Sequence, residues 1–436
     1  MKPRILICTV DSWNARVGGN TFSSLLKEYP PENLANVYIR EELPDSPCCS
    51  RYFQISENRV IKSILKRKIK TGREVAACQE MTEADAELLE QSRRLYNKNR
   101  KKRSFFKLFI REVLWKLGKW KTPELNDYVD SFQPDIVVFD MSSYIHFNRI
   151  CRYIIRRTEA KAVGYFWDDT FTYKQMPNFG YKALRFLKRK SLKKLAKECD
   201  AFWAITEKTK KEADAFFGID CQIITKPIDF LPGESWQPYI PHEPIQMLYT
   251  GNLLIGRFQA IQAVSKALDR INADGTKVLL DVYSASYITP EDLATLSPYV
   301  RMRGVVPQAE VLALQEKADV LLLAEAMDGP HSQIARLSFS TKLTDYLHAG
   351  KCILSIGAAG IASMEYLQQE DAALCATNED EVYAQLQAIT EDSEMIARLA
   401  QNAFDCGKRN HARPLIREKV EQTFSALCAG SAKRKV

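Results

Sequence analysis

Three stretches of the chain carry residue types that could handle a phosphorylated ligand. In "SFSTKLTDYLHAGKCILSIG" (338–357), Ser338, Ser340 and Thr341 stand where a helix would begin and Gly350 where it would stop. The first-turn N–H groups of such a helix offer an anion site, with Lys342 alongside. Asp345 lies four residues past Thr341, one turn further along the same face. A carboxylate there would accept hydrogen bonds from a ribose diol while phosphates rest on the helix end. In "YTGNLLIGRF" (249–258), Arg257 sits six residues beyond Gly251, placed to reach a diphosphate. In "DSWNARVGGNTF" (11–22), Gly18 and Gly19 would let backbone amides approach a ligand at the following helix start. Each stretch also has a plain structural reading: a capped helix ahead of a buried strand, an exposed arginine, a flexible turn.

These stretches need a scaffold that gathers them. Short apolar runs alternate with helical segments: "RILICTV" (4–10), "NVYIRE" (36–41), "PDIVVFD" (134–140), "KAVGYFW" (161–167), "AFWAIT" (201–206) and "CQIIT" (221–225). Strands apolar throughout and alternating with helices predict α/β architecture, with parallel sheet covered on both faces. The proline-rich "FLPGESWQPYIPHEP" (230–244) breaks every periodicity and reads as a linker. The pattern then restarts with "IQMLYTGN" (245–252), "KVLLDVYS" (277–284), "VRMRGVV" (300–306), "ADVLLLA" (318–324) and "AALCAT" (372–377). The expected organisation is two Rossmann-like doubly wound domains, 1–235, carrying a basic helical insertion at about 60–122, and 236–412, then a C-terminal helix and basic tail over 413–436 packing back on the first domain. A length of 436 residues supports two cores better than one. In such sheets ligands bind outside the carboxyl ends of the strands, where the three stretches fall.

With 46% hydrophobic and 27% charged residues, the composition is that of a globular protein, and no apolar stretch is long enough to span a bilayer. "MKPRILICTVDSW" runs straight into a strand-like segment without a signal peptide, so the expectation is a cytoplasmic protein. Eleven scattered cysteines with no C-x-x-C pair, and five dispersed histidines, argue against a metal site and against a disulfide framework. The net charge of +8 is concentrated. Between Ser92 and Thr122 there are twelve Lys/Arg and one acid, Glu112, interleaved with Phe105, Phe106, Phe109, Val113, Leu117 and Trp120 at near-helical spacing. Lys182 to Lys197 carries eight cations, with Leu184, Leu187, Leu192 and Leu195 recurring at helical spacing. Both segments read as a solvated basic face over a packed apolar stripe, or as attachment to an anionic membrane surface. Nucleic acid is not the expected partner, because neither segment holds a reading motif and the aromatics fit apolar stripes better than stacking platforms.

Taken together, the two Rossmann-like halves, the proline-rich connection and the three loops resemble the GT-B fold glycosyltransferases, in particular the retaining nucleotide-sugar-dependent group called family 4, whose members build cell-surface polysaccharides. The second-domain motif of that group appears as "SFSTKLTDYLHAGKCIL", with Asp345 where a ribose-binding glutamate is expected and Leu337 where a second acid is expected. "VRMRGVVPQAEVLALQEKADVLLL" (300–323) and "CDAFWAITEKTKKEADAFFGIDCQIITKPID" (199–229) are similar to that family's strand–helix–strand units. The arginine and lysine expected after the second domain's first strand align with Asn252 and Arg257, and a first-domain histidine is replaced by "FWDD", Trp167 to Asp169.

The resemblance implies a nucleotide-diphosphate sugar donor held by Gly251, Asn252, Arg257, Ser340, Thr341, Lys342 and Asp345, with Gly18 and Gly19 facing the phosphates. It implies a glycan or lipid-linked acceptor, Asp168 and Asp169 as acceptor-binding or base-assisting residues with Glu207 in the same region, and no metal or cofactor. Arg257 would stabilise charge developing on the leaving diphosphate. The alternatives are a GT-B-fold nucleotide-sugar epimerase, a basic nucleic-acid-binding protein, and a non-catalytic relative.

Overall fold

The computed structural model describes residues 2–13, 21–101, 104–327 and 329–430. The chain divides into two compact units, the first of residues 1–224 and 418–436, the second of residues 225–417. The first unit is built on eight strands: β1 (Ile5–Thr9), β2 (Leu34–Tyr38), β3 (Arg51–Ile55), β4 (Gly72–Val75), β5 (Ile136–Asp140), β6 (Lys161–Phe166), β7 (Ala201–Ala204) and β8 (Cys221–Ile223). Their order is β4-β3-β2-β1-β5-β6-β7-β8. All neighbours are parallel except β3 and β4, which run antiparallel. Every residue of β1, β2 and β5 is buried, as a central strand covered on both faces requires.

The second unit holds β9 (Ile245–Thr250), β10 (Val278–Tyr283), β11 (Val300–Gly304), β12 (Val320–Ala324), β13 (Cys352–Ile356) and β14 (Leu374–Ala376). These are all parallel, in the order β11-β10-β9-β12-β13-β14. Its core joins Met247, Leu280, Leu322 and Leu354 of the strands to Ile261, Val264 and Leu268 of the Arg257–Ile271 helix.

Three expectations need correction or refinement. The region around 60–122, expected as a basic helical insertion, also contains β4, a four-residue antiparallel edge strand. Its sequence, Gly-Arg-Glu-Val, is short and charged, as edge strands are, and so carries no apolar signal. The 230–244 segment, expected as a linker, lies within the second unit, where Trp236 Nε1 donates to Gly350 O (2.9 Å) and Tyr239 OH to Asp319 O (2.7 Å). Finally, the apolar residues of the Phe105–Leu117 helix do not form a packed stripe: Phe106 and Leu117 are each 59% exposed, while Trp115 is fully buried. In the Phe179–Ala196 helix, Leu184, Leu192 and Leu195 are buried as expected, but Leu187 is exposed.

The final helix, Arg413–Ala429, passes from the second unit to the first. Within the first, Trp203 Nε1 donates to Thr423 Oγ1 (3.2 Å) and Phe424 packs on Trp203 and Tyr29.

Candidate functional site

In the second unit the direction of strand addition reverses between β9 and β12, and loops diverging from such a point leave a crevice. Two of the stretches singled out in the sequence converge there. Gly251 follows β9 with φ 143°, in the region that side chains disfavour. A Cβ on it would fall 2.6 Å from Lys342 Nζ, so the absence of a side chain is what admits the lysine. Lys342 Nζ donates to the Tyr249 hydroxyl (3.2 Å) and stands 4.2 Å from the centroid of that ring. Burial, with Arg257 adding repulsion and Glu325 working the other way, lowers the ammonium from its ordinary range to about 7. A lysine so held regains its charge when an anion arrives, which is how a pocket can be tuned to take a phosphate.

Arg257 is the first residue of its helix, behind Gly256 in the left-handed region. Its Nη1 donates to Asn252 Oδ1 (3.0 Å), and Nε and Nη2 donate to Glu325 Oε2 at 3.3 and 3.2 Å. Asn252 and Glu325 thus aim the guanidinium from two sides; the Glu325 side chain is only 5% exposed.

The Thr341–Ala349 helix starts at Ser340, whose side chain makes no cap hydrogen bond. This differs from the hydroxyl capping expected there, and from Thr206, which accepts from Thr209 N. Asp345 on the same helix is paired with Lys226, Nζ to Oδ1 3.0 Å, and that ammonium also reaches Thr341 O (3.5 Å). The site thus holds three basic side chains: Lys226 paired with Asp345, Arg257 paired with Glu325, and Lys342 in the electrostatic field of Arg257 and Glu325.

In the first unit, Gly18 and Gly19 lie outside the described residues. Asp168 is exposed at the end of β6. Asp169 is buried and closes a turn: Oδ1 accepts from Thr172 N (2.9 Å) and Oδ2 from the Thr172 hydroxyl. Glu207 is exposed in the first turn of the Glu207–Phe217 helix. Asp140 ends β5 beside β1, where this sheet's direction reverses; its Oδ1 is buried without a hydrogen-bond partner. Burial, then the charges of Asp11 and Asp168, push its carboxyl up to about 8. Among the described residues no group of three or more His, Cys, Asp and Glu is arranged to hold a metal ion.

Sequence reasoning missed Tyr249, Lys226, Glu325 and Asp140. Asp140 and Glu325 do carry a signal, an acid ending or directly following an all-apolar strand. Tyr249 reads as a core residue, and Lys226 meets Asp345 only through the fold.

Two doubly wound parallel-sheet units of this kind define the GT-B architecture. No protein-family model matches the chain, and no curated protein matches it. Solved structures do. Alr3699/HepE from Anabaena, in complex with UDP-glucose, is 11% identical with a TM-score of 0.57, covering 97% of this chain and 99% of that one. A glycosyltransferase from Rickettsia africae ESF-5 is 10% identical with a TM-score of 0.58, covering 99% and 100%. An α,α-trehalose 6-phosphate synthase from Burkholderia multivorans is 9% identical with a TM-score of 0.57, covering all of both chains. At these identities the likeness establishes the fold.

Proposed function

We propose that the protein is a glycosyltransferase whose second unit binds a nucleotide-diphosphate sugar. The observation that carries this reading is Lys342, held against Gly251 and Tyr249 at the strand switch point, with Arg257 at the start of the helix that follows. The diphosphate rests on Lys342, Arg257 and the amides at Ser340 and Thr341, and Asp345 takes the ribose diol in exchange for part of its contact with Lys226. HepE, similar in fold, was solved with UDP-glucose, which supports this donor class.

The acceptor is a glycan, carried on a membrane lipid at the cytoplasmic face, and the product belongs to a cell-surface polysaccharide. Transfer retains configuration: the bond from C1 to the diphosphate oxygen breaks, the acceptor oxygen bonds C1 from the same side, and its proton passes to the departing diphosphate. No metal is needed, because the cations and amides stabilise the charge that develops on that diphosphate. In the first unit Asp168 orients acceptor hydroxyls, while Asp169 shapes the turn that presents it.

Incubation with labelled nucleotide-sugars, with and without lipid-linked acceptor, tests this reading. Acceptor-dependent transfer is expected, with Lys342→Ala losing donor binding; epimerised nucleotide-sugar formed without any acceptor would overturn it.

A further inference from the structure

The Phe105–Leu117 helix packs on the Glu57–Lys62, Ile145–Thr158 and Phe179–Ala196 helices and is amphipathic in the inverse sense for a packed helix. Its inner side carries charge. Arg111 Nε donates to Glu57 Oε1 (2.7 Å), and the Glu112 carboxylate accepts from the amides of Ile145 (3.1 Å) and His146 (2.9 Å). Trp115 stacks on His146 with ring centroids 4.4 Å apart. Its outer side carries Phe105, Phe106, Phe109, Ile110, Val113 and Leu117, between 38% and 59% exposed. Their spacing places them in one continuous band. The charged groups of the inner side, Arg111 and Glu112, are already paired within the protein, so the apolar side is the one left for a partner.

The Phe179–Ala196 helix extends this band. A Cβ on Gly180 would lie 2.6 Å from the Phe105 ring, and Phe105 meets Tyr181 edge-on at 6.3 Å, so the glycine lets the two helices start side by side. The second helix exposes Phe179 (85%), Phe186 and Leu187 together with Lys182, Lys190, Lys193 and Lys194; it holds no acid, and its Arg185 is buried. The first helix has a single acid, Glu112, turned inward, and its Lys107 and Lys116 are exposed. The outward surface of the pair is therefore apolar and cationic only.

We infer that this two-helix face docks on an anionic lipid bilayer, with the phenylalanines and aliphatic residues entering the acyl boundary and the lysines meeting lipid phosphates. A second copy of the chain would place cations against cations. The inference deepens the membrane half of the function proposed above and rests on it, but lipid binding is read without any transfer reaction, so the two fail separately.

The test is co-sedimentation of the full chain with vesicles of phosphatidylcholine, alone or mixed with phosphatidylglycerol. Binding is expected only to the mixed vesicles and is expected to fall as salt rises. Phe106→Ser with Ile110→Ser, and separately Lys190→Glu with Lys194→Glu, are each expected to weaken it by roughly tenfold or more. Because these side chains point outward, both variants should melt with the parent and bind nucleotide-sugar equally well. The inference is overturned by indifference to phosphatidylglycerol, or by binding that survives both double substitutions. A concentration-dependent dimer abolished by the Phe106/Ile110 pair would equally overturn it, assigning the face to a second copy.

Discussion

Lys342 Nζ lies 3.2 Å from the Tyr249 hydroxyl and occupies the space a Gly251 side chain would need. Lysine, tyrosine and glycine are thereby one unit, set by β9 and the Thr341–Ala349 helix. Charged hydrogen bonds to phosphate contribute about 1.5–3 kcal/mol each. Lys342→Ala is therefore expected to weaken nucleotide-sugar binding by roughly ten- to a hundredfold. Gly251→Ala should do much of the same by displacing the ammonium. Isothermal calorimetry decides: unchanged affinity in both variants removes the lysine from the donor site.

The lowered lysine also predicts a pH dependence. With the free site titrating at about 7, a bound diphosphate raises the protonated fraction, so binding takes up a proton above neutrality. The affinity of a nucleotide-sugar, whose phosphates do not titrate in this range, should be flat below about pH 6 and decline by up to about tenfold per pH unit above 7. Lys342→Arg, charged throughout, should abolish the slope. A pH-independent affinity in the parent protein would contradict the account.

Much of this was legible in the sequence, but unevenly. Ile136–Asp140 and Val320–Ala324 are five-residue apolar runs that only a central parallel strand accommodates, and both sheets were read from such runs. Gly72–Val75 was invisible because an edge strand is defined by its neighbour's hydrogen bonds, not by its own composition. Lys342 and Asp345 announced themselves by spacing on one helix, whereas Lys226 is 119 residues from Asp345 and meets it only in the fold. Periodicity around Phe105 also gave two helical faces without saying which turns inward. That choice was made by Glu57, Tyr144 and His146, polar partners distant in sequence that hold Arg111 and Glu112.

The Asp345–Lys226 pair makes a prediction about the ribose. If the carboxylate receives the diol, Asp345→Ala loses most donor affinity, and a 2′-deoxyribose donor loses roughly tenfold against the parent protein. The same deoxy donor should lose nothing further against Asp345→Ala, since the partner group is already gone. Calorimetric titration of both donors against both proteins gives the coupling directly. Additive losses would place Asp345 away from the ribose and leave it a structural partner of Lys226.

Asp140 gives a prediction for the first unit that is independent of any donor. Its carboxyl is pushed up to about 8 in the folded protein, while an unfolded chain releases that proton near the ordinary value of about 3.9. The native state therefore binds the extra proton, and the stability linked to Asp140 is present below about pH 4 and lost as pH rises toward 8. Asp140→Asn removes the titration while keeping the shape. Relative to the parent, the variant should gain about a few degrees in Tm at pH 9 and much less at pH 5. Thermal melts across that range provide the check: a Tm difference that stays constant with pH would mean that Asp140 is ionised in the folded protein, despite the burial of its unpartnered Oδ1 and the charges of Asp11 and Asp168.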